Sequence, residues 1–190
     1  ADSVTLKFWS PHGVAYKTKA DGTLVTSADS EAEDAILKAL ESTRPDDGFL
    51  GEEIGSRPSR FGRRWIVDGI DGTNGFVTGL PNWGTLIALE QEGEITLGMI
   101  SSPAQGNRWW AQRGYGAFTS TGDSDRSGRT IRVSTNKYTT ANRVATLPLF
   151  KNLTPEAQLS VKNSLSGNPQ PDLAHWSQQM KVAEGDLDAC

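Results

Sequence analysis

Cysteine is almost missing from this chain. Cys190 is the only one, so no intrachain disulfide can form, and stability must come from a packed core. Such usage fits a reducing compartment, and a cytoplasmic protein is the expectation. Histidine is nearly as scarce. His12 and His175 lie far apart without metal-type spacing and read as ordinary side chains. No run approaches the ~20 apolar residues of a membrane span, and no positive segment followed by an apolar core marks a signal peptide. Long basic runs are absent and the formal net charge is −4, which argues against a binder of nucleic-acid backbones. An acidic chain that takes an anionic ligand needs local help from backbone N–H groups, a helix N-terminus or bound cations. Repeats and low-complexity tracts are also lacking. Ser101-Ser102 has no nucleophile-elbow context, and no helix pattern follows Gly114-Tyr115-Gly116 as a nucleotide loop would require.

What is present fits one large domain over residues 1–190 better than two. There is no initiator Met, and the chain stops directly after an apolar-periodic segment, so it reads as incomplete at its C-terminus. Residues 1–9 read as the end of a helix and 16–25 as a polar, turn-rich stretch around Asp21-Gly22. A helix is predicted over 29–40, where Ala32, Ala35, Ile36, Ala39 and Leu40 share a face and acidic residues crowd the first turn. Phe49-Leu50 runs into the acidic turn Gly51-Glu52-Glu53, and 57–64 reads as a mobile loop. Trp65-Ile66-Val67 is a buried-strand signal that breaks off at Asp68. Residues 84–91 and 94–101 form a hairpin pattern about Glu92-Gly93. Shorter strands are predicted at 108–111, 131–134 and 144–147, with a polar loop at 119–130 and helices at 155–165 and 173–185. Mixed strands and helices with few βαβ units indicate a layered α+β fold.

The strongest chemical feature is Asp68-Gly69-Ile70-Asp71-Gly72-Thr73-Asn74. Two carboxylates stand three residues apart at the end of an apolar strand. Mg²⁺ is usually held by one or two carboxylates plus waters and phosphate oxygens, and the Ile70 carbonyl between the two is a natural extra ligand. Gly72 lets the following N–H groups approach an anion. An Asx-type turn closing a strand accounts for the same string. Glu52 is equally an acidic surface turn, and Asp29 a charge that complements a helix dipole.

In combination, Val25-Thr26 with Asp29, then Gly51-Glu52-Glu53, then Trp65-Ile66-Val67-Asp68 with Ile70-Asp71-Gly72-Thr73-Asn74 and Phe76, resemble the inositol monophosphatase family from about Lys19 to the end of the chain. Residues 83–89 and 108–114 are most similar to its bacterial histidinol-phosphate phosphatases, although Trp109-Trp110 is also explained by packing. The resemblance implies an α/β, layered αβαβα sandwich and a Mg²⁺-dependent phosphomonoesterase. It implies that Glu52, Asp68 and the Ile70 carbonyl hold one metal, and that Asp68 and Asp71 share a second. Asp29 and Thr73 would be a hydrogen-bonded pair activating water, and Gly72, Thr73 and Asn74 would meet the phosphate. The expected partner is a small phosphate monoester, histidinol phosphate first, with inositol-1-phosphate or a sugar phosphate as the alternative. A phosphate- or metal-binding protein without turnover is the rival of another class. The oligomeric state stays open, a homodimer included.

The chain departs from the family pattern in three places. Gly69 replaces a proline, so a softer aspartate loop is expected, one that Gly69→Pro would stabilise if the φ at 69 suits proline. Gly75 replaces the asparagine of histidinol-phosphate phosphatases, so that side chain's role is expected to be gone. The family's later W-D motif does not occur: residues 182–188 resemble the stretch before it, 171–178 depart from the family's substrate-contacting stretch, and Asp188 is not the missing ligand by position. Weak occupancy of the second metal and slow turnover are therefore expected of the chain as written.

Overall fold

The computed structural model of the protein describes residues 1–122, 128–133, 135 and 175–185. The chain divides into two compact units, Ala1–Thr130 and Ile131–Cys190. The first begins with helix α1 (Asp2–Phe8), followed by a two-stranded ribbon of β1 (Lys17–Thr18) and β2 (Leu24–Val25), and then by the long helix α2 (Ser27–Thr43). Next come β3 (Gly48–Gly51), β4 (Ser56–Arg57), β5 (Arg63–Asp71), the short helix α3 (Thr73–Val77), β6 (Gly84–Gln91) and β7 (Glu94–Ser102). A 3₁₀ turn at Pro103–Gln105 leads to β8 (Asn107–Gln112), β9 (Gly116–Thr121) and β10 (Arg129–Ile131). In the second unit, helix α4 (His175–Ala183) is described, with Trp176 buried. The strand predicted at 144–147 and the helix at 155–165 lie outside the described residues. Among the described residues no helix is long and apolar enough to cross a membrane.

Eight strands form one sheet in the order β10-β9-β8-β7-β6-β5-β3-β4. Ladders β5 through β9 are antiparallel, whereas β3 and β5 run parallel with Gly51 opposite Val67. That parallel pair fixes the site, because the turn after β3 runs beside the last residues of β5 in the same direction. The β6–β7 hairpin closes through Glu92 (φ 52°) and Gly93 (φ 81°). Two successive positive φ values match the twist of the flanking strands, as type I′ turns do.

Helix α2 packs on β5; of the face read from its periodicity, Ala32 and Ile36 are buried, Ala35 and Leu40 half-buried and Ala39 exposed. Ile36 joins Phe49 and Val67 in one apolar cluster, with Leu37, Leu40 and Trp65 around it. A second cluster gathers Ala28, Ile70, Phe76 and Trp83 under the aspartate segment. There the Phe76 ring meets Trp83 edge-on at 4.9 Å. Burying a side chain such as Phe76 or Ile70 contributes about 1.5–3 kcal/mol, so the segment carrying the carboxylates is anchored from below.

The structure corrects four sequence expectations. Strand β5 does not stop at Val67; it continues to Asp71, with a register shift between Asp68 and Asp71. The stretch 57–64 is not simply a loop, because Ser56 and Arg57 pair with β3 and Arg63 opens β5. The polar loop at 119–130 begins inside β9, where Thr119 and Ser120 are buried and the Thr119 hydroxyl donates to the Arg108 carbonyl at 3.1 Å. Of the described residues in the strand placed at 131–134, only Ile131 is in a strand, β10, which runs from Arg129.

Candidate metal and phosphate site

Thr26 caps helix α2, and Asp29 is its third residue. The Thr26 N–H and hydroxyl donate to Asp29 Oδ2 at 2.9 and 2.6 Å, and Thr26 Oγ1 accepts from the Ala28 N–H. This is a capping box with aspartate in the reciprocal position. Asp29 is buried, and burial pushes its carboxyl above the ordinary range, against the opposing effect of the Thr26 bonds. Thr73 opens α3, and its hydroxyl donates to the Ile70 carbonyl at 3.0 Å. The expected Asp29–Thr73 pair is therefore not how this structure spends those groups. Thr73 has one hydroxyl proton and gives it to Ile70, while the Asp29 carboxylate is held by its own helix cap.

The parallel register sets Glu52, the first residue after β3, next to Asp68 within β5: the Glu52 N–H donates to the Val67 carbonyl at 3.2 Å. Asp68 Oδ1 accepts the Ile70 N–H at 3.0 Å, so the Asx-turn reading and the ligand reading describe the same aspartate. Asp71 ends β5 opposite Gly84. Gly72 follows at φ 86°, where a Cβ would stand 2.8 Å from the Asn82 carbonyl oxygen. Its own carbonyl accepts the Gly75 and Phe76 N–H groups. Asn74 is exposed beside it. Ile70 is buried, and Thr73 uses its carbonyl.

Three carboxylates of one sign are felt at a single point here. Burial first, then the charges of Glu52, Asp71 and Glu33, push Asp68 up to about 8. The chemistry of this donor set, hard oxygens with uncompensated negative charge, fits a hard divalent cation. The side chains themselves stand apart, since among the described residues no three such groups converge closely enough to hold a metal. Glu52 instead turns to Lys19, whose ammonium lies 3.2 Å from Glu52 Oε1 and also binds Glu53. Those two carboxylates, Glu53 foremost, raise the Lys19 pKa.

Sequence reasoning missed Glu33. It is wholly buried, and its carboxylate accepts the N–H groups of Glu52, Glu53 and Ile54 at 2.9, 3.0 and 3.0 Å. A signal existed: positions 29, 33, 36 and 40 form one helical stripe, and an acid at 33 interrupts an apolar face.

Both glycine departures have a steric basis. Gly69 is buried within β5, and a Cβ there would overlap the Asp29 carbonyl oxygen and lie 3.3 Å from the Asp29 Cα. The segment is thus a tight crossing of strand and helix, not a softened loop, and a proline ring at 69 would meet the Asp29 backbone. At Gly75 a Cβ would overlap Asn82 Oδ1. The side chain of Asn82 already fills the space next to Gly75. Gly75→Asn is accordingly expected to destabilise the protein by roughly 1–3 kcal/mol through overpacking, and Asn82→Ala in the same chain to recover most of that loss. Urea unfolding of both single variants and the double variant measures the coupling; strictly additive losses would show that the two positions do not share space.

The turn after β3 and the end of β5 thus place Glu52 near Asp68, with Asp71 and the glycine-led start of α3 following. The sequence profile of the inositol monophosphatase family matches residues 4–190, and the chain belongs to that family. Histidinol-phosphatase of Chlorobaculum parvum is 46% identical over 118 residues, which cover 62% of this chain and 46% of that protein. Histidinol-phosphatase of Mycobacterium tuberculosis is 47% identical over 120 residues, 63% of this chain and 46% of that protein. The chain thus spans about half the length of the curated relatives it matches. The crystal structure of the extragenic suppressor protein suhB from Bartonella henselae superposes with a TM-score of 0.82 at 28% identity, over 98% of this chain and 71% of that one. The fold is the α/β sandwich of this family.

Proposed function

We propose that this chain carries the metal- and phosphate-binding part of a Mg²⁺-dependent phosphomonoesterase acting on a small phosphate monoester, histidinol phosphate first. The observation that carries the reading is the parallel β3–β5 register, which sets Glu52 beside Asp68 with Asp71 at the end of the same strand. The identity to the two histidinol-phosphatases supports the choice of substrate. Glu52, Asp68, the Ile70 carbonyl and Asp71 would hold the cations. Bound Mg²⁺ would neutralise phosphate charge and ease ionisation of the attacking water. The chain's own contribution is position. Gly72 turns the backbone so that the N–H groups at the start of α3 can face an anion, with Thr73 and Asn74 beside them. Asp29, buried and raised in pKa, is suited to take a proton from water.

The test is phosphate release from histidinol phosphate and from inositol-1-phosphate, with Mg²⁺ binding followed by calorimetry. EDTA should stop release, Mg²⁺ should restore it, and histidinol phosphate should be the faster substrate. Turnover that persists in chelator would rule out the metal mechanism. Mg²⁺ and phosphate binding without turnover would mark a binding protein. A faster rate with inositol-1-phosphate would reassign the substrate alone.

A further inference from the structure

Glu33 has no place in the chemistry outlined above, yet it is one of the most enclosed charged side chains described. It sits one helical turn beyond Asp29 on α2 and is 0% exposed. Three consecutive backbone N–H groups, from Glu52, Glu53 and Ile54, converge on its two oxygens at 2.9–3.0 Å. Successive N–H groups pointing into one concavity form an anion nest, and here the anion is a side chain of the protein itself. The fit is close: a Cβ on Gly51 would overlap Glu33 Oε2 and stand 2.8 Å from the Phe49 ring.

We propose that Glu33 is a positioning residue for the metal-ligand turn. Its carboxylate fixes the main chain of 52–54 against helix α2, and thereby sets where the Glu52 side chain, now paired with Lys19, leaves the backbone. The proposal rests on the metal-site reading given above. It ties the helix that supplies Asp29 to the turn that supplies Glu52, so that two distant parts of the sequence are held in one frame. The carboxylate is needed for its two acceptor oxygens. Glutamine at 33 keeps the shape but turns an NH₂ toward N–H donors, and a buried donor left without an acceptor is costly.

The experiment measures Mg²⁺ affinity by calorimetry, together with thermal stability, in the wild type and in Glu33→Gln, Gly51→Ala and Asp47→Asn. Asp47 is the control for a merely structural acid. It is also buried, but it holds Arg63 and Trp65 before the opposite end of β3. Glu33→Gln should weaken Mg²⁺ binding about 10- to 100-fold, as loss of groups behind metal ligands does. Turnover at saturating Mg²⁺ should stay within about threefold, as expected when only the aim of a ligand is lost. Asp47→Asn should lower the melting temperature with Mg²⁺ affinity unchanged. Gly51→Ala pushes on the same carboxylate with one methyl group; if Glu33→Gln does not fold, it carries the test and should weaken Mg²⁺ in the same direction. Wild-type affinity in a folded Glu33→Gln protein would overturn the positioning role while leaving the metal site intact, as would equal weakening in Asp47→Asn. Absence of Mg²⁺ binding in the wild type would overturn the metal reading, and the proposal with it.

Discussion

Asp68→Asn should reduce Mg²⁺-dependent phosphate release about 10³-fold or more and, in the absence of metal, should make the protein more stable near pH 8 than the wild type. The first effect follows from the position of Asp68 beside both Glu52 and Asp71. With Asp68 as the ligand shared by two cations, as proposed above, its loss would remove several kcal/mol of charge stabilisation, at roughly tenfold in rate per 1.4 kcal/mol. The second follows from the sign of its titration. The Asp68 carboxyl is pushed up to about 8 by burial and by the neighbouring charges of Glu52 and Asp71, against an unfolded value near 3.9. Between those values the folded state holds more protons than the unfolded state, so stability falls as pH rises. The contribution is intact below the unfolded value and lost by about pH 8. Asparagine does not ionise, and its side-chain oxygen can still accept the Ile70 N–H. Melting curves in EDTA from pH 5 to 8 should therefore slope downward for the wild type and flatten for the variant. Parallel slopes would show that another group sets the pH dependence. Full activity in Asp68→Asn would remove it from the metal site.

Gly69→Pro should destabilise the protein by roughly 1–3 kcal/mol, the usual range for overpacking a closed site, even though a family-based substitution ordinarily reads as an improvement. The obstruction is backbone: the first atom of any side chain at 69 meets the Asp29 carbonyl oxygen. Neither partner can swing away as a flexible side chain would. Strand β5 is held by the Thr85 hydroxyl donating to the Gly69 carbonyl at 2.9 Å, and Asp29 is held in its helix cap. Gly69→Ala should share the direction. The midpoint of urea unfolding reads the effect, and a Gly69→Pro protein at least as stable as wild type would show that α2 stands farther from β5 than the Gly69–Asp29 crossing implies.

Both expectations rest on distances as well as on residue types, and the sequence discloses only the latter. Periodicity located α2, because Ala32, Ile36 and Leu40 face one way. The Glu92-Gly93 pair located the hairpin, because few residue pairs accept two positive φ values. The acids of the site were visible as types and spacings, together with the family resemblance. Strand β9 was hidden because Thr119 and Ser120 are polar residues that the sheet buries and satisfies with hydrogen bonds. The partners of Thr73 and Asp29 were hidden too. A hydroxyl can serve its own turn or a distant acid, and only geometry chooses. Glu33 was overlooked because an acid on a helix reads as solvated until the donors facing it are known. The meaning of Gly69 depended on which backbone lies beside it, and spacing along the chain carries no such distance.

The capping box at the head of α2 bears on how kinetic data from this protein are to be interpreted. Asp29 is at once the base proposed above and half of a reciprocal clasp with Thr26, and such caps contribute about 0.5–2 kcal/mol. Its first helical turn also braces Gly69, and the next turn carries Glu33. A rate lost in Asp29→Ala would thus mix missing chemistry with a frayed helix and a shifted metal ligand. Only a thermodynamic cycle that includes a Thr26 variant can separate proton transfer from scaffolding.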